Sequence, residues 1–318
     1  MKNSLWGQII IPLIALFCAI ALSLLCGRVQ ISWSNFSEDP ILELRLVRIV
    51  AAFTVGSSLA LAGLILQAVL RNVLADPFTL GISGGASIGA ALAFILNLHI
   101  ISVLAVSAMA WLGALVMLAA VLLITGKKNS EGLLLSGVIA GTTASSVLMY
   151  IISIADRDDL AGVSWWMLGD LQNADSRLLY PALAVTVLIA AAVKMLAREL
   201  NAVTMGGEIA WSMGVNEKKF SRIFIVAASI LAAQTVAIAG LIAFVGLIVP
   251  HLVRRIYGSD HKKNILPTLI WGGFFLILCD WLARVIEPLH ELPVGVLTAA
   301  LGGGMFIYVL NRRKGNWV

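Results

Sequence analysis

Few side chains in this 318-residue sequence have the types and spacing that chemistry requires. The three cysteines, Cys18, Cys26 and Cys279, lie in apolar runs without a CxxC pair, so neither a zinc site nor a disulfide framework is predicted. The four histidines form no HxxxH pair and no cluster with carboxylates, so no bound metal is expected. The phosphate-binding pattern GxxxxGK[ST] is missing, because Gly126-Lys127 lacks the upstream glycine. We therefore expect no catalytic residues, no bound cofactor and no ATP hydrolysis by this chain.

The composition places the chain in lipid. Hydrophobic residues make up 60% of it and charged residues only 12%, with a mean hydropathy of +0.98. A soluble domain carries about 25% charge, so a soluble enzyme, a secreted disulfide scaffold and a disordered regulator are excluded. At about 20 residues per spanning helix, the chain could hold roughly ten spans. This leaves no room for a separate soluble domain, and residues 1–318 are expected to form a single transmembrane domain.

Charge-free intervals locate the spans, because an ionised side chain in hydrocarbon costs several kcal/mol. The first interval is long enough for an uncleaved helix rather than a signal peptide. The sequence thus predicts an all-α, polytopic fold of about ten transmembrane helices. The predicted spans are Ile9–Cys26, 49–70, two within Pro77–Ile124 divided near Asn97, Gly132–Ala155, Leu178–Val193, Ile223–Ile238, Leu247–Arg254 beginning around Pro250, Ile265–Leu282 and Val294–Leu310.

The basic residues indicate which side faces the cytoplasm. With the amino terminus inside, 16 of the 22 Lys and Arg residues fall on the cytoplasmic side. The six that fall outside are Arg28, Arg45, Arg48, Arg157, Arg177 and Arg284. This bias predicts that both termini are cytoplasmic. It also accounts for the net charge of +5 without a nucleic-acid partner.

Small residues recur four apart in several predicted spans, as in Gly56 with Ala60 and Gly85 with Gly89. This spacing predicts close contact between helix backbones. In the fifth span the small residues are joined by Thr and Ser, which makes one face both small and polar. Such a face more often borders a water-filled path than lipid.

Motifs along the whole chain resemble those of a known family. They are Arg45-Leu46-Val47-Arg48, Gln67, RNVLADP at 71–77, LGISGGA at 80–86, GGEIAWSMG at 206–214, GLIAFVGLIVPH at 240–251, and ELPVG at 291–295 with Thr298. Together, in this order and spacing, they resemble the permease subunit of FecCD/BtuC-type ABC importers, which take up ferric siderophores, haem and cobalamin.

The resemblance implies a type II ABC importer permease fold in a bacterial inner membrane. It implies a homodimer around a central path, two cytoplasmic ATPase subunits that bind ATP and Mg, and an extracytoplasmic substrate-binding protein. Membrane lipid is the remaining expected partner.

The resemblance also assigns a docking role to Arg45, Arg48 and Arg284, which would receive acidic residues of the binding protein. Arginine suits this role because it stays charged and binds a carboxylate through two parallel hydrogen bonds. The alternative is that these arginines reach the lipid headgroups or pair with Glu43 or Glu287. Asp280 and Arg284 are spaced to share one helix face, which predicts an ion pair.

Two further sets of residues follow from the resemblance. The coupling segment, at about residues 200–220, would bind the ATPase, whereas an amphipathic helix lying on the bilayer is the alternative. Its matching residues are Gly206, Glu208, Ala210, Met213, Gly214 and Val215. The cytoplasmic gate would lie at the start of the fifth span, with the path along that span's small polar face. The corresponding residues are Asn129, Ser130, Glu131, Ser136, Gly137, Ala140, Gly141, Thr142 and Ser145.

The favoured function is therefore the permease of an ATP-driven importer for a bulky metal chelate, with an iron-siderophore or haem first and cobalamin as the alternative. A proton-driven secondary transporter would need ionisable residues at mid-membrane, where these spans have almost none. A membrane enzyme would need a cluster of catalytic residues at one membrane face, and the sequence shows none. Trp165 and Trp166 are expected in the interfacial aromatic belt, with contact to cargo at the mouth as the alternative.

Overall fold

The computed structural model describes residues 5–26, 40–126, 130–172, 174–286 and 291–311. Within these ranges the chain forms helices and no strand, as predicted. A short 3-10 helix, Pro77–Leu80, lies between the second and third α-helices. The α-helices are α1 Leu5–Leu25, α2 Pro40–Val69, α3 Ile82–Ile95, α4 Leu98–Ile101, α5 Val103–Thr125, α6 Ser130–Ser153, α7 Arg157–Met167, α8 Ser176–Met195, α9 Ala197–Met205, α10 Gly207–Ser212, α11 Glu217–Ala239, α12 Val245–Tyr257, α13 His261–Ile286 and α14 Val294–Asn311.

Each of the ten predicted spans is helical. Among the described residues, six helices are long and apolar enough to cross a membrane: α2, α5, α6, α8, α11 and α13. Three shorter apolar helices, in α1, α3 and α14, account for three more predicted spans, and α12 is the tenth. The division predicted near Asn97 is also found, because Asn97 has a positive φ of 54° between α3 and α4.

The prediction that the eighth span begins around Pro250 is wrong. The helix α12 begins at Val245, after Phe244 in the left-handed region with a φ of 70°, and Pro250 lies inside it. A proline inside a helix leaves the carbonyl four residues earlier without its usual amide donor. Here a side-chain amide replaces the missing backbone donor, since Nε2 of Gln67 donates to the oxygen of Gly246 at 3.3 Å and to that of Leu247 at 3.1 Å.

The centre of the fold is α2. In the apolar stretch of α2, 89% of the residues are buried, compared with 28% of the residues in the apolar stretches of α5, α6 and α8. It packs against α11, α12 and α13, and glycines allow its backbone to approach those of α12 and α13 closely. A Cβ on Gly56 would lie 2.3 Å from the oxygen of Gly272 in α13, and one on Gly63 would overlap the backbone of Gly246 in α12. The predicted close packing is thereby confirmed for α2.

The same arrangement joins α3 to α5. A Cβ on Gly85 would lie 2.3 Å from the oxygen of Gly113, and one on Gly89 would lie 2.1 Å from the oxygen of Met109. In lipid the hydrophobic drive for helix association is missing, so van der Waals contact holds the helices together. The absence of a Cβ at these glycines lets the backbones approach closely enough for that contact. The two ends of this packed bundle carry the candidate sites.

We predict that Gly272→Ala destabilises the protein by about 1–3 kcal/mol, because the new methyl group would lie 2.5 Å from the oxygen of Gly56 and force α13 away from α2. The control is Gly304→Ala in α14, where nothing lies within 4 Å of the new Cβ. The measurement is the thermal unfolding midpoint of the purified protein in detergent. Equal midpoints for the two variants would contradict the packing argument.

Candidate functional site

The coupling segment is a pair of short helices with glycine at each turn. Helix α9 ends at Met205, Gly206 follows with a φ of 105° that suits glycine, and α10 begins at Gly207. Gly214, with a φ of 75°, turns the chain again before α11. The side chain of Asn216 caps α11 by accepting from the amide of Lys219 at 3.0 Å. The residue types at these turns therefore fix the hairpin-like path of the segment.

One side of the coupling segment is anchored to the rest of the protein. Ala210 and Val215 are buried and pack with Ala202 and Phe220. Beside them an ion pair joins Nη2 of Arg71, in the loop after α2, to Oε1 of Glu217 at 2.7 Å. The segment is thus held on α11 and on the end of α2.

The other side of the segment is apolar and exposed. Trp211 is 79% exposed, and three further large hydrophobic side chains on the segment are also exposed: Met205, Ile209 and Met213. The predicted coupling residues consequently divide into buried Ala210 and Val215, and exposed Glu208, Met213 and Gly214, with Gly206 half-buried in the turn. Exposed large apolar side chains grouped on one short segment are typical of a protein interface.

At the opposite, predicted outer end, two arginines share one buried carboxylate. Nε of Arg48 donates to Oδ1 of Asp280 at 2.7 Å, and Nη2 of Arg284 lies 3.2 Å from Oδ2 of the same residue. Asp280 is only 1% exposed. Nη1 of Arg48 also pairs with Oε2 of Glu291 at 2.8 Å, and Nε2 of Gln172 donates to that oxygen at 2.6 Å. We name Arg48, Asp280, Arg284 and Glu291 the outer ion cluster.

The outer ion cluster confirms the predicted pair of Asp280 with Arg284. For Arg48 the partners are Asp280 and Glu291 rather than Glu43, while Glu287 lies outside the described residues. Arg284 also donates to Oγ of Ser23 at 2.5 Å, and Arg45 donates to the carbonyl oxygen of Leu24. All three arginines predicted to dock are therefore largely buried and tie α1, α2 and α13 together, and their docking role stays a prediction.

The predicted path residues on α6 also divide in two. Ser136 and Gly137 are buried, and a Cβ on Gly137 would lie 2.4 Å from the oxygen of Thr79 next to α3. Thr142 and Ser145 are exposed, and Ala140 and Gly141 are half-buried. Asn129 lies outside the described residues, and for Ser130 and Glu131 only the helical backbone is described.

The exposed hydroxyl groups of α6 bond to their own helix. Thr142 donates to the oxygen of Val138 at 2.9 Å, and Ser145 donates to that of Gly141 at 3.0 Å. Thr143 likewise donates to the oxygen of Ile139, and Ser146 donates to that of Thr142. The face is thus polar but internally satisfied, which suits contact with water without strong binding.

An open-sided cavity of about 860 Å³ lies at the predicted outer end. Its lining includes Trp165, Trp166 and Asp170. Trp165 is 60% exposed, as an aromatic of the interfacial belt would be. Burial raises the pKa of Asp170, although the amide of Gln172 donates to its carboxylate and acts in the opposite direction.

The loop after α2 is shaped by Asp76. Its carboxylate accepts from the amide of Phe78 at 2.9 Å and so caps the short 3-10 helix. Desolvation raises the pKa of Asp76 to about 6, and the same amide bond opposes that rise. Gly81, with a φ of 75°, then ends the 3-10 helix and begins α3. The residues Ala75-Asp76-Pro77 and the LGISGGA motif at 80–86 therefore form a tight connection between α2 and α3.

No group of three or more His, Cys, Asp or Glu side chains within the described ranges could hold a metal ion. The candidate sites in this structure are instead the exposed coupling segment at one end of the bundle and the outer ion cluster at the other end.

We predict that Asp280→Asn destabilises the protein by about 3–5 kcal/mol, because it leaves Arg48 and Arg284 buried beside a neutral group. The control is Asp158→Asn in α7, an exposed acid predicted on the same side of the membrane. The measurement is the unfolding midpoint in detergent, in parallel for both variants. A loss no larger for Asp280→Asn than for the control would show that the shared carboxylate contributes little.

Comparisons with known proteins agree with this architecture. The profile of the FecCD transport family matches residues 13–312. The ABC transporter permease protein YvrB of Bacillus subtilis is 33% identical, over 98% of this chain and 96% of that protein. The vitamin B12 import system permease protein BtuC of Yersinia pseudotuberculosis is 34% identical over 95% and 92%, and the cobalamin import permease BtuC of Halobacterium salinarum is 37% identical over 85% and 73%.

Among solved structures, an inward-facing ABC transporter assigned to the metal-chelate type superposes with a TM-score of 0.88. It is 27% identical and covers 97% of this chain and 99% of that one. PsaBC from Streptococcus pneumoniae shares the fold with a TM-score of 0.62, at 16% identity over 86% and 92% of the two chains. The match over nearly the whole chain, with the relatives above 30% identity, shows that this protein belongs to the FecCD transport family and is a multi-span ABC transporter permease.

Proposed function

We propose that this chain is the permease subunit of an ATP-driven importer that carries a bulky metal chelate. In this proposal two copies form the path, both termini and the coupling segment face the cytoplasm, and ATP and Mg bind to a separate ATPase subunit. The single domain of residues 1–318 then holds only surfaces for partners and cargo. The observation that carries the proposal is the exposed apolar face of α9 and α10, because water does not favour such a face without a partner.

The geometry of the coupling segment suits the transfer of movement. A docked ATPase would push on Ile209 and Trp211 in α10 and on Met213 directly after it, at the end of the two short helices. The opposite side of those helices is fixed by Ala210 and Val215 and by the ion pair of Arg71 with Glu217. A displacement imposed at the surface would therefore move the ends of α2 and α11 as well.

The outer end suits a partner that offers carboxylates. Arg48 borders a second cavity of about 380 Å³, which Arg177 and Glu43 also line. Nη2 of Arg48 has no hydrogen-bond partner among the described residues, but it is buried, so an incoming acid would reach it only after a local rearrangement. Arginine binds carboxylates with strong, oriented hydrogen bonds. The docking role of Arg45, Arg48 and Arg284 therefore forms part of the proposal, with the arginines held in place by Asp280 and neighbouring groups.

The cargo class follows from the family and from the path. The exposed face of α6 offers hydroxyl groups that are already bonded to its backbone, so it presents few specific contacts to a cargo. Selectivity would then lie in the binding protein. An iron-siderophore or haem is the first candidate from the sequence. Cobalamin is the second, and it is favoured by the names of the BtuC relatives from Yersinia pseudotuberculosis and Halobacterium salinarum.

We predict that Trp211→Glu reduces the amount of ATPase subunit that copurifies with the permease by about tenfold or more, since a carboxylate would have to be buried in an apolar contact. The matched control is Trp165→Glu, the same change at an exposed tryptophan near the opposite end. The measurement is the ratio of ATPase to permease after affinity purification in detergent. An undiminished ratio for Trp211→Glu would remove the coupling segment from the ATPase interface.

We predict that permease reconstituted in liposomes with its ATPase and binding protein takes up cargo only with ATP, and that collapse of the proton gradient leaves uptake unchanged. Titration of the binding protein with cobalamin and with a ferric siderophore, followed by calorimetry, then separates the two chelates. Uptake without ATP that stops when the proton gradient is collapsed would reject the proposed function in favour of a secondary transporter.

A further inference from the structure

Asn201, in α9 of the coupling segment, contacts the turn between α12 and α13. Its Oδ1 accepts from the backbone amide of His261 at 3.1 Å and lies 2.6 Å from Nδ1 of the same residue. Its Nδ2 donates to Oδ1 of Asp260 at 3.1 Å. One side-chain amide thus uses both its oxygen and its nitrogen on a single turn that is 59 and 60 residues away in the sequence.

The turn that receives Asn201 is closed by its own hydrogen bonds. Asp260 accepts from the amide of Lys262 at 3.0 Å, and Nδ2 of Asn264 donates to the oxygen of Gly258 at 2.6 Å. His261 is 2% exposed and Asn264 is fully buried. The turn thus has hydrogen bonds of its own, and the bonds from Asn201 attach it to α9.

The bond to the amide of His261 is a helix cap supplied by another helix. His261 is the first residue of α13, and the first amides of a helix have no partner within the helix. Such amides are usually satisfied by the residue just before the helix. Here a residue of the coupling segment satisfies one of them, so the beginning of α13 follows the position of α9.

The far end of α13 lies in the outer ion cluster. Asp280 is 19 residues after His261, which corresponds to about 28 Å along a continuous helix at 1.5 Å per residue. Between the two ends α13 packs against α2 through the backbones of Gly56 and Gly272. Helix α2 in turn carries Arg48 at the outer end and is followed by Arg71, which pairs with Glu217 beside the coupling segment. Both helices therefore connect the same two surfaces.

We propose that Asn201 is a positioning residue that couples α13 to the coupling segment, so that binding-protein docking at the outer ion cluster changes ATP hydrolysis by the subunit on α9 and α10. This inference rests on the proposed function for the identity of the two partners. It goes beyond that function by assigning the connection to one side chain and one helix. Replacement of Asn201 should then weaken the stimulation of hydrolysis by docking.

The experiment uses the full complex of permease and ATPase in lipid nanodiscs, with and without saturating binding protein. ATP hydrolysis is measured in both states, and their ratio is the stimulation by docking. For Asn201→Ala we expect the ratio to fall by about threefold or more, as for a residue on a coupling route. The bound ATPase is quantified for every variant, and hydrolysis is expressed per bound ATPase subunit. The matched control is Asn216→Ala, which removes a cap bond within the same segment that is confined to α11. For this control we expect the wild-type ratio.

A second variant guards against misfolding of Asn201→Ala. His261→Ala leaves the backbone amide bond to Asn201 and removes only the side-chain contact, so we expect a smaller loss of stimulation. An unchanged ratio in both variants, or an equal fall in Asn216→Ala, would overturn the inference. Wild-type complex that binds no ATPase, or shows no stimulation, would instead overturn the proposed function, so the two failures are distinguishable.

Discussion

The burial of α2 is the constraint on which the rest of the structure depends. Because other helices surround α2, it can carry polar and charged groups that lipid would not tolerate. Several of these groups bond to neighbouring helices. Ser57 donates to the oxygen of Leu269 in α13 at 2.8 Å, and Ser58 lies 2.7 Å from the hydroxyl of Thr186 in α8. Nε2 of Gln234 in α11 joins the same group through Thr186 at 2.8 Å. A single central helix thus specifies the positions of three others.

The same constraint explains how an irregular backbone can exist at this depth. Between α11 and α12 the chain leaves helical geometry at Gly240 and again at Phe244. Such backbone is tolerated in a membrane only where protein or water satisfies its polar groups. Gln67 on α2 provides this at the start of α12, and its oxygen accepts in turn from Arg254 near the end of that helix. One glutamine therefore holds a short, proline-containing helix against the core at two points.

The sequence predicts the spans well because charge avoidance in hydrocarbon acts locally along the chain. The ion pair of Asp280 with Arg284 could also be predicted from the sequence, since it depends on the four-residue spacing within one helix. The ion pair of Arg48 with Asp280 could not be predicted, because it joins residues 232 positions apart and depends on the packing of α2 against α13. The start of α12 was misplaced for the same reason: Pro250 marks a helix start only if nothing else satisfies the freed carbonyl, and Gln67 does so from another helix.

Burial also separates the predicted site residues in a way that the sequence could not. Ser136 and Thr142 both belong to the small polar pattern of α6, but the first faces the core and the second faces outward. The three predicted docking arginines, in contrast, all lie against carboxylate or carbonyl oxygens at one end of α1, α2 and α13. Periodicity identifies a face, whereas the neighbouring helices decide whether that face is covered.

The distribution of contacts divides the bundle into a part that holds its shape and a part that offers surface. Helices α2 and α13 meet through glycine backbones in the middle and through the ion pair of Arg48 with Asp280 at the outer end, so little of their interface can slide. Helix α6 has most of its surface uncovered in a single chain, and its hydroxyl groups bond to its own carbonyls. A face of that kind tolerates water and yields few bonds to a passing solute. Under the proposed function, that combination suits a path that must release its cargo, with recognition left to partners at the two ends of the rigid pair.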